Sequence, residues 1–597
     1  MSTSALHILL LAVVTTLFSL TQAQDVVFRS PLLYDLGFYG FYPRTWYKSF
    51  KQSSPLLNFQ AWDERCDDGY YLFSPRGTIV SNSGPVIVDG KGNLVWTSDR
   101  FGETTDVKIQ TYKGKEYITF WAGVDGVRYR YGCGTYYMLD EKYQIFKTIE
   151  PVGENLRGDL HEFAISRDDT ALFTVYQTVP MDLSAAGGPE QGWIIDGIFQ
   201  EVDIETGELL FEWRASEHVP LEDTMLDLDE STARTPGEAL DFFHINSVDK
   251  DVATGNYVIS GRHTFSVMCV DPAGNTVWTL GGDDNSFRDL SGGRATDFTW
   301  QHHARLVGNT STTIPTSTTT TTLLSLFDNG KSEGDDYIGA YSRGMLVELD
   351  LATMTARLAQ EYADPQRSRL AQSQGSAQAL PHSGRMLVSY GFLPVFTEFD
   401  AGGAVVCDVH LAPRAISTFG MVTSYRAYKS ASWVGRPVPP PSVFLRPADR
   451  RVYASWHGAT EIARWVLEGA DWEGASEGRY ARVDGKRKAE FEVSFAITDA
   501  MPPYLRIAAL DKDGEVLGRT EVLHKDRGNA PSTKTRDTVV AIATFSCLLA
   551  VAFVFRKMIR RALKSRLAGK LVGPIVRGVW WDRRGANPHE VQPLYKI

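Results

Sequence analysis

An all-β fold is predicted for this chain: a six-bladed β-propeller, then a small Ig- or fibronectin-like β-sandwich, then a C-terminal transmembrane helix. Three observations predict it. One hairpin pattern recurs six times, a proline-rich break follows the sixth copy, and an uncharged run near the C-terminus is closed by a basic cluster.

In chain order, residues 6–20 form an apolar stretch followed by Thr21-Gln22-Ala23, the small-residue pattern of a cleaved secretory signal. Residues 1–23 are therefore read as a signal peptide. The repeat begins after it. Each copy places apolar residues before an Asp, then a short turn often holding Gly, then a second apolar strand. The six Asp residues are Asp89, Asp140, Asp203, Asp271, Asp350 and Asp400, stepping by 51, 63, 68, 79 and 50 residues. An Asp at the turn can accept from nearby backbone amides while Gly supplies positive φ, so each copy reads as a β-hairpin. The steps match a four-stranded blade with variable loops, which predicts six blades over residues 24–435. Apolar runs at 117–120, 171–175, 257–260 and 386–389 are expected to be inner strands of blades.

Residues 436–441, Arg-Pro-Val-Pro-Pro-Pro, make a stiff linker. Short alternating strands over residues 442–525 then suggest the β-sandwich, and a polar connector covers 526–537. Residues 538–555 carry no charge over 18 positions. At about 1.5 Å per helical residue they nearly span a hydrocarbon core of about 30 Å. Arg556, Lys557, Arg560, Arg561, Lys564, Arg566 and Lys570 follow directly, which predicts a single-pass type I topology: the large N-terminal part extracellular or luminal, and a basic cytoplasmic tail over 556–597.

Hydrophobic content of 43% and charged content of 22% describe a chain that folds. A net charge of -11 argues against nucleic acid as a partner, because phosphate neutralisation needs a concentrated basic surface. Cys66, Cys133, Cys269 and Cys407 face an oxidising compartment under this topology, which permits disulfides without fixing their pairing; Cys547 lies in the membrane segment. Asn309-Thr310-Ser311 is an N-glycosylation acceptor, and the Thr/Ser run at 312–322 reads as an exposed loop insertion.

The histidines that matter stand where inner strands begin or end: His161, His244, Arg262-His263 and His302-His303. In a propeller such positions on different blades converge on the central channel. Imidazoles combined with Arg and Asn suit a polyoxygenated anion. Arg offers a planar fork of donors, Asn adds a neutral donor, and a neutral imidazole can be a nucleophile. No HExxH or Cys-x-x-Cys spacing supports a metal, although zinc held by three separate histidines stays open; no cofactor is expected.

The runs 192–203 and 206–213, Phe243-His244-Ile245-Asn246-Ser247-Val248-Asp249, Gly255 to His263, Leu280-Gly281-Gly282 and Ser325-Leu326-Phe327-Asp328-Asn329-Gly330 resemble the fungal branch of the arylsulfotransferase family. The resemblance runs from about Tyr70 to Leu411, and the 443–523 region is similar to the family's accessory domain. It implies a six-bladed propeller that moves a sulfuryl group from an aryl sulfate to a phenolic acceptor, without a nucleotide donor, through a sulfohistidine. By motif the nucleophile would be His302. His244, Asn246 and Arg262 would match the sulfate-contacting and acid/base positions, and His161 a further histidine there. His303 stands where the family has Asp and is read as a substrate contact, and His382 stands where the family commonly has Asn. The alternative reading is a non-catalytic, membrane-anchored propeller that binds glycans or proteins at the cell surface.

Overall fold

The computed structural model describes residues 27–125, 131–308, 321–330, 341–380 and 383–527. The alternating apolar runs become strands, and among the described residues six four-stranded antiparallel meanders follow one another in a propeller-like order. Five of them lie in simple chain order. They start at the strands Thr104–Tyr112, Gly158–Ile165, Ile245–Lys250, His302–Val307 and Ser376–Leu380. The remaining meander joins the two ends of this region: Ala427–Ser430 pairs with Tyr70–Phe73, followed by Val86–Asp89 and Leu94–Thr97.

The six Asp residues occupy equivalent places, each at the turn between the third and fourth strands of its meander. Their side chains do what the sequence predicts. Asp89 Oδ1 accepts from the Lys91 and Asn93 amides at 3.0 and 2.9 Å, Asp271 Oδ1 from Ala273 and Asn275 at 2.9 and 2.8 Å, and Asp400 Oδ1 from Gly402 and Ala404 at 3.0 and 2.9 Å. The runs expected as inner strands form the second strands, Lys115–Val124, Thr170–Met181, Tyr257–Gly261 and Arg385–Ser389. The first strands are shorter in apolar pattern because their side chains are divided between the sheets and the polar interior.

Apolar layers fill the spaces between neighbouring sheets. Leu172, Ile194, Phe199 and Trp213 meet Ile245, Tyr257 and Met268, while Val258, Val267 and Trp278 meet Leu324, Met345 and Val347. Each such side chain contributes about 1.5–3 kcal/mol by leaving water. An N-terminal arm wraps the last meander: Asn58–Ala61 adds a fifth strand to Val405–His410, and a disulfide joins Cys66 to Cys407 with a Cα–Cα distance of 6.2 Å. Cys133 and Cys269 are free thiols.

From Ser442 to His524 two smaller sheets, one three-stranded and one five-stranded, enclose Leu445, Val452, Trp465, Phe495 and Ile507. One turn locks this part to the first two meanders. His457 stacks on Phe50 at 4.6 Å and its Nε2 accepts from the Thr97 amide at 2.9 Å. Next to it Tyr143 donates to the Gly458 carbonyl at 2.6 Å. Gly458 has φ +93°, and a Cβ there would sit 2.4 Å from the Tyr143 ring, so the turn accepts only glycine.

Several expectations fall outside the described residues: the signal peptide at 1–23, the apolar run 538–555 and its basic tail, Asn309 of the glycosylation acceptor, and His382. Among the described residues no helix is long and apolar enough to cross a membrane. Thr321 and Thr322, which the sequence places in the loop insertion, open the strand Thr321–Asp328 because they pair with Asp350 and Leu349.

Candidate active site

Where the first strands begin, side chains from several meanders meet. His161 lies on Gly158–Ile165, His244 just before Ile245–Lys250, Arg262 just after Tyr257–Gly261, and His302 opens His302–Val307. Asn329 follows Thr321–Asp328, Gln372 and Gln374 precede Ser376–Leu380, and Tyr425 precedes Ala427–Ser430. His161, Asn246, His302 and Tyr425 are buried.

Hydrogen bonds fix the tautomer of His302. Asn329 Nδ2 donates to the carbonyls of Ala371 and Gln374 at 2.9 and 3.0 Å, so its Oδ1 is the atom that faces His302 Nδ1 at 2.7 Å. The Trp300 carbonyl is a second acceptor at 3.0 Å. Nδ1 therefore carries the hydrogen and Nε2 carries the lone pair. Among the described residues that lone pair meets only the Gln374 amide, at a long 3.3 Å. Burial first, then the Arg262 charge, holds the imidazole well below its usual pKa, so it stays neutral.

Arg262 lies over the Trp300 ring at 4.8 Å and donates to His263 Nε2 at 2.6 Å and to the Gln372 carbonyl at 3.3 Å. Burial pulls its pKa down to about 10, which leaves it charged at neutral pH. Arg262 and His302 thus share the 372–374 loop. His161 and His244 face each other with Nε2 to Nε2 at 3.2 Å. Each has a carboxylate behind it: Asp159 Oδ2 at 2.5 Å from His161 Nδ1, and Asp241 Oδ2 at 2.5 Å from His244 Nδ1. Burial, followed by the neighbouring His161 and Arg262 charges, keeps His244 well below the usual imidazole pKa.

Two residues behave differently from the sequence expectation. Asn246 is fully buried, but its Nδ2 donates to the Gln301 carbonyl at 2.7 Å, and its Oδ1 has no partner among the described residues. It holds the segment that carries His302. His303 does not join the cluster: its Nδ1 donates to the Ala377 carbonyl at 3.2 Å and its ring packs on Tyr428 at 5.6 Å. Its neighbours are a buried ionic plug in which Glu162 meets Lys108 at 2.8 Å, Arg426 at 3.0 Å and Arg305, and Asp106 meets Lys108 and Arg426 at 2.8 and 2.9 Å. Burial alone would raise the Glu162 carboxyl, yet Arg305, Lys108 and Arg426 hold it well below the carboxylate range.

Sequence reasoning missed Asn329, Tyr425 and the two aspartates behind the imidazoles. Tyr425 lies edge-on to His161 and His302, with ring centroids at 5.4 and 6.3 Å, and its buried hydroxyl has no partner among the described residues. Asn329 stood in the run Ser325 to Gly330 that carries the family resemblance, with no role assigned to it. Asp159 and Asp241 stand two and three residues before His161 and His244, a spacing that could have signalled them.

Asp241, His244 and His263 also offer three atoms close enough to surround a cation. All three are engaged: Asp241 Oδ2 with His244, His263 Nδ1 with the Asp241 carbonyl, and His263 Nε2 with the Arg262 guanidinium. A fixed guanidinium opposes a divalent cation, so the donor set does not fit a metal.

Fold and site together define an all-β protein with imidazoles and a guanidinium gathered where its meanders begin. The chain belongs to the arylsulfotransferase (ASST) family, whose model matches residues 108–412. Membership points to sulfuryl transfer. No curated protein matches the sequence. Among solved structures it is similar to a protein of unknown function from Bacteroides caccae, at 13% identity over 61% of this chain and 98% of that one, with a TM-score of 0.34. A putative 6-phosphogluconolactonase from Bacteroides fragilis is 12% identical over 65% of this chain and 92% of its own, with a TM-score of 0.29. A streptogramin B lyase is 9% identical over 76% and 95%, with a TM-score of 0.25.

Proposed function

We propose that the six meanders are the blades of one propeller and that the chain moves a sulfuryl group from an aryl sulfate to a phenolic acceptor through a sulfohistidine at His302. The observation that carries this is the fixed tautomer of His302: Asn329 and Trp300 hold the Nδ1 hydrogen, and a neutral, buried Nε2 lone pair is left next to Arg262. Nε2 attacks sulfur, the S–O(aryl) bond breaks, and the electron pair leaves on the aryl oxygen. The ring becomes cationic as the N–S bond forms, and Asn329 Oδ1 is placed to stabilise that charge. Arg262 offers its fork to the sulfuryl oxygens, and His244 with His161 supplies the proton for the leaving phenol. In the second half-reaction an acceptor phenol returns the proton and takes the sulfuryl group.

The apolar run 538–555 is proposed to anchor this catalytic part on the extracytoplasmic side of a membrane. The test is to incubate the full-length protein with 4-nitrophenyl sulfate, with and without phenol. Phenol-dependent release of 4-nitrophenol and an acid-labile sulfo-adduct on His302 are expected. An adduct on another residue, or undiminished turnover by His302→Asn, refutes the assignment.

A further inference from the structure

The geometry points to the unit Asp159–His161–His244–Asp241 as a store for one proton, with Asp159 and Asp241 as positioning residues that aim it into the site. This rests on the sulfotransferase reading and adds to it the source of the proton.

The argument is a count of protons. Asp159 Oδ1 accepts from the Gly132 amide at 3.0 Å, and Oδ2 accepts from the His161 amide at 3.0 Å and the Thr174 hydroxyl at 3.1 Å. A carboxyl group surrounded by such donors is an acceptor on both oxygens, so the hydrogen at 2.5 Å between it and His161 belongs to Nδ1. On the other side Asp241 Oδ2 lies 2.5 Å from His244 Nδ1, a contact that also needs one hydrogen. The Nε2 atoms lie 3.2 Å apart, and this third link needs a third hydrogen. Two neutral imidazoles carry two. Without an extra proton, two lone pairs would face each other inside the protein.

One proton is taken up and not two. The groups that face the pair are Asp159 and Asp241, the Arg262 guanidinium, His263, His302, and the rings of Tyr176 and Tyr425. Two carboxylates favour the first proton, whereas Arg262 and the charge of the first oppose a second. Such a shared proton can pass to the aryl oxygen as the S–O bond breaks and can be regained from the acceptor phenol, so the unit ends each cycle as it began.

The test compares two donors in single-turnover reactions of the full-length protein. Phenyl sulfate releases a weakly acidic phenol that needs the proton, and 4-nitrophenyl sulfate releases a far more acidic one. Asp241→Asn replaces an acceptor that sets the His244 tautomer by an amide that can donate. It is expected to slow phenyl sulfate about 10²–10⁴-fold, the range of general-acid loss. The loss with 4-nitrophenyl sulfate should be about tenfold smaller or less, and Asp241→Glu should restore part of the rate. Equal losses with both donors would show a merely structural role and overturn the proposal. The second measurement needs no turnover: in 15N-histidine-labelled protein, one exchangeable proton should couple to Nε2 of both His161 and His244 and vanish in His161→Asn. Two unprotonated Nε2 signals with no shared proton overturn it. If the wild type transfers no sulfuryl group, the sulfotransferase reading falls and this second measurement alone decides the proton store.

Discussion

Replacing Asn329 separates what holds the fold from what sets the nucleophile proposed at His302. Its Nδ2 satisfies two buried carbonyls, Ala371 at 2.9 Å and Gln374 at 3.0 Å, while its Oδ1 sets the tautomer of His302 at 2.7 Å. Asn329→Leu loses both functions. Two carbonyls without donors cost about 1–3 kcal/mol each, so its stability should fall by roughly 2–6 kcal/mol. The Trp300 carbonyl still faces Nδ1 at 3.0 Å, which keeps the kinetic loss to that of one orienting partner, about 10–100-fold. Asn329→Asp loses the same two donors and should be destabilised at least as much, yet it keeps an acceptor for Nδ1–H. The assay is single-turnover sulfo-adduct formation with 4-nitrophenyl sulfate, alongside denaturant unfolding. Both variants should unfold more easily, and only the Leu variant should be slow. A retained rate in Asn329→Asp then excludes general destabilisation as the cause of the slow step. An Asn329→Asp protein as slow as Asn329→Leu, or an Asn329→Leu protein at the wild-type rate, refutes control of the nucleophile by this side chain.

Four further outcomes are expected. Tyr425→Phe removes a buried hydroxyl with no partner among the described residues, so the ligand-free protein should melt no lower than wild type while turnover falls; a lower melting temperature with unchanged turnover contradicts a role toward substrate. Arg262→Lys keeps the charge but loses the planar group that lies over Trp300 at 4.8 Å, and it should weaken binding of inorganic sulfate, measured by calorimetry. His303→Asp should retain turnover, because position 303 faces Ala377 and Tyr428 and not the His302 ring; loss of the sulfo-adduct in a folded variant would contradict this. Burial lowers His457 from 6.5 to about 4, so the unfolded chain binds a proton there that the folded chain refuses. Stability from this group is complete above the unfolded value and is lost as pH falls toward the folded one, by about 3 kcal/mol. Unfolding curves of wild type and His457→Phe should therefore converge in slope above that window and differ within it.

The fold was more legible than the site. Each Asp turn is a local device, an acceptor two to four residues from the amides it binds, so six copies could be counted without knowing how the sheets associate. The first strands were harder to see. Their residues alternate between the site and the ionic plug, as His161 and Glu162 do on adjacent positions, so they lack the continuous apolar run of the second strands. Asn246 was recognised as part of the site, but its bond to Gln301 was not legible, since its type says only that it can donate, and the Gln301 carbonyl that it meets comes from another meander. Tyr425 is one of 25 tyrosines, and nothing in its local sequence distinguishes it.

The separation of His302 from His303 shows why backbone conformation decides what composition leaves open. Strand alternation alone would put neighbouring side chains on opposite faces, but the pairing of this strand is irregular between His302 and Arg305, and His303 has φ +59°. Trp300, His244 and Gln374 are also left-handed, with φ of +56°, +55° and +64°, and none is a glycine. Such residues each cost of order 1–3 kcal/mol and persist only where surrounding contacts over-determine them. Here those contacts are the ones that define the site: Asp241 on His244, Arg262 on Trp300, and the Gln374 amide on His302 Nε2. Strain gathered at four positions around one imidazole is therefore the cost of turning its lone pair inward while the next histidine turns away into the ionic plug.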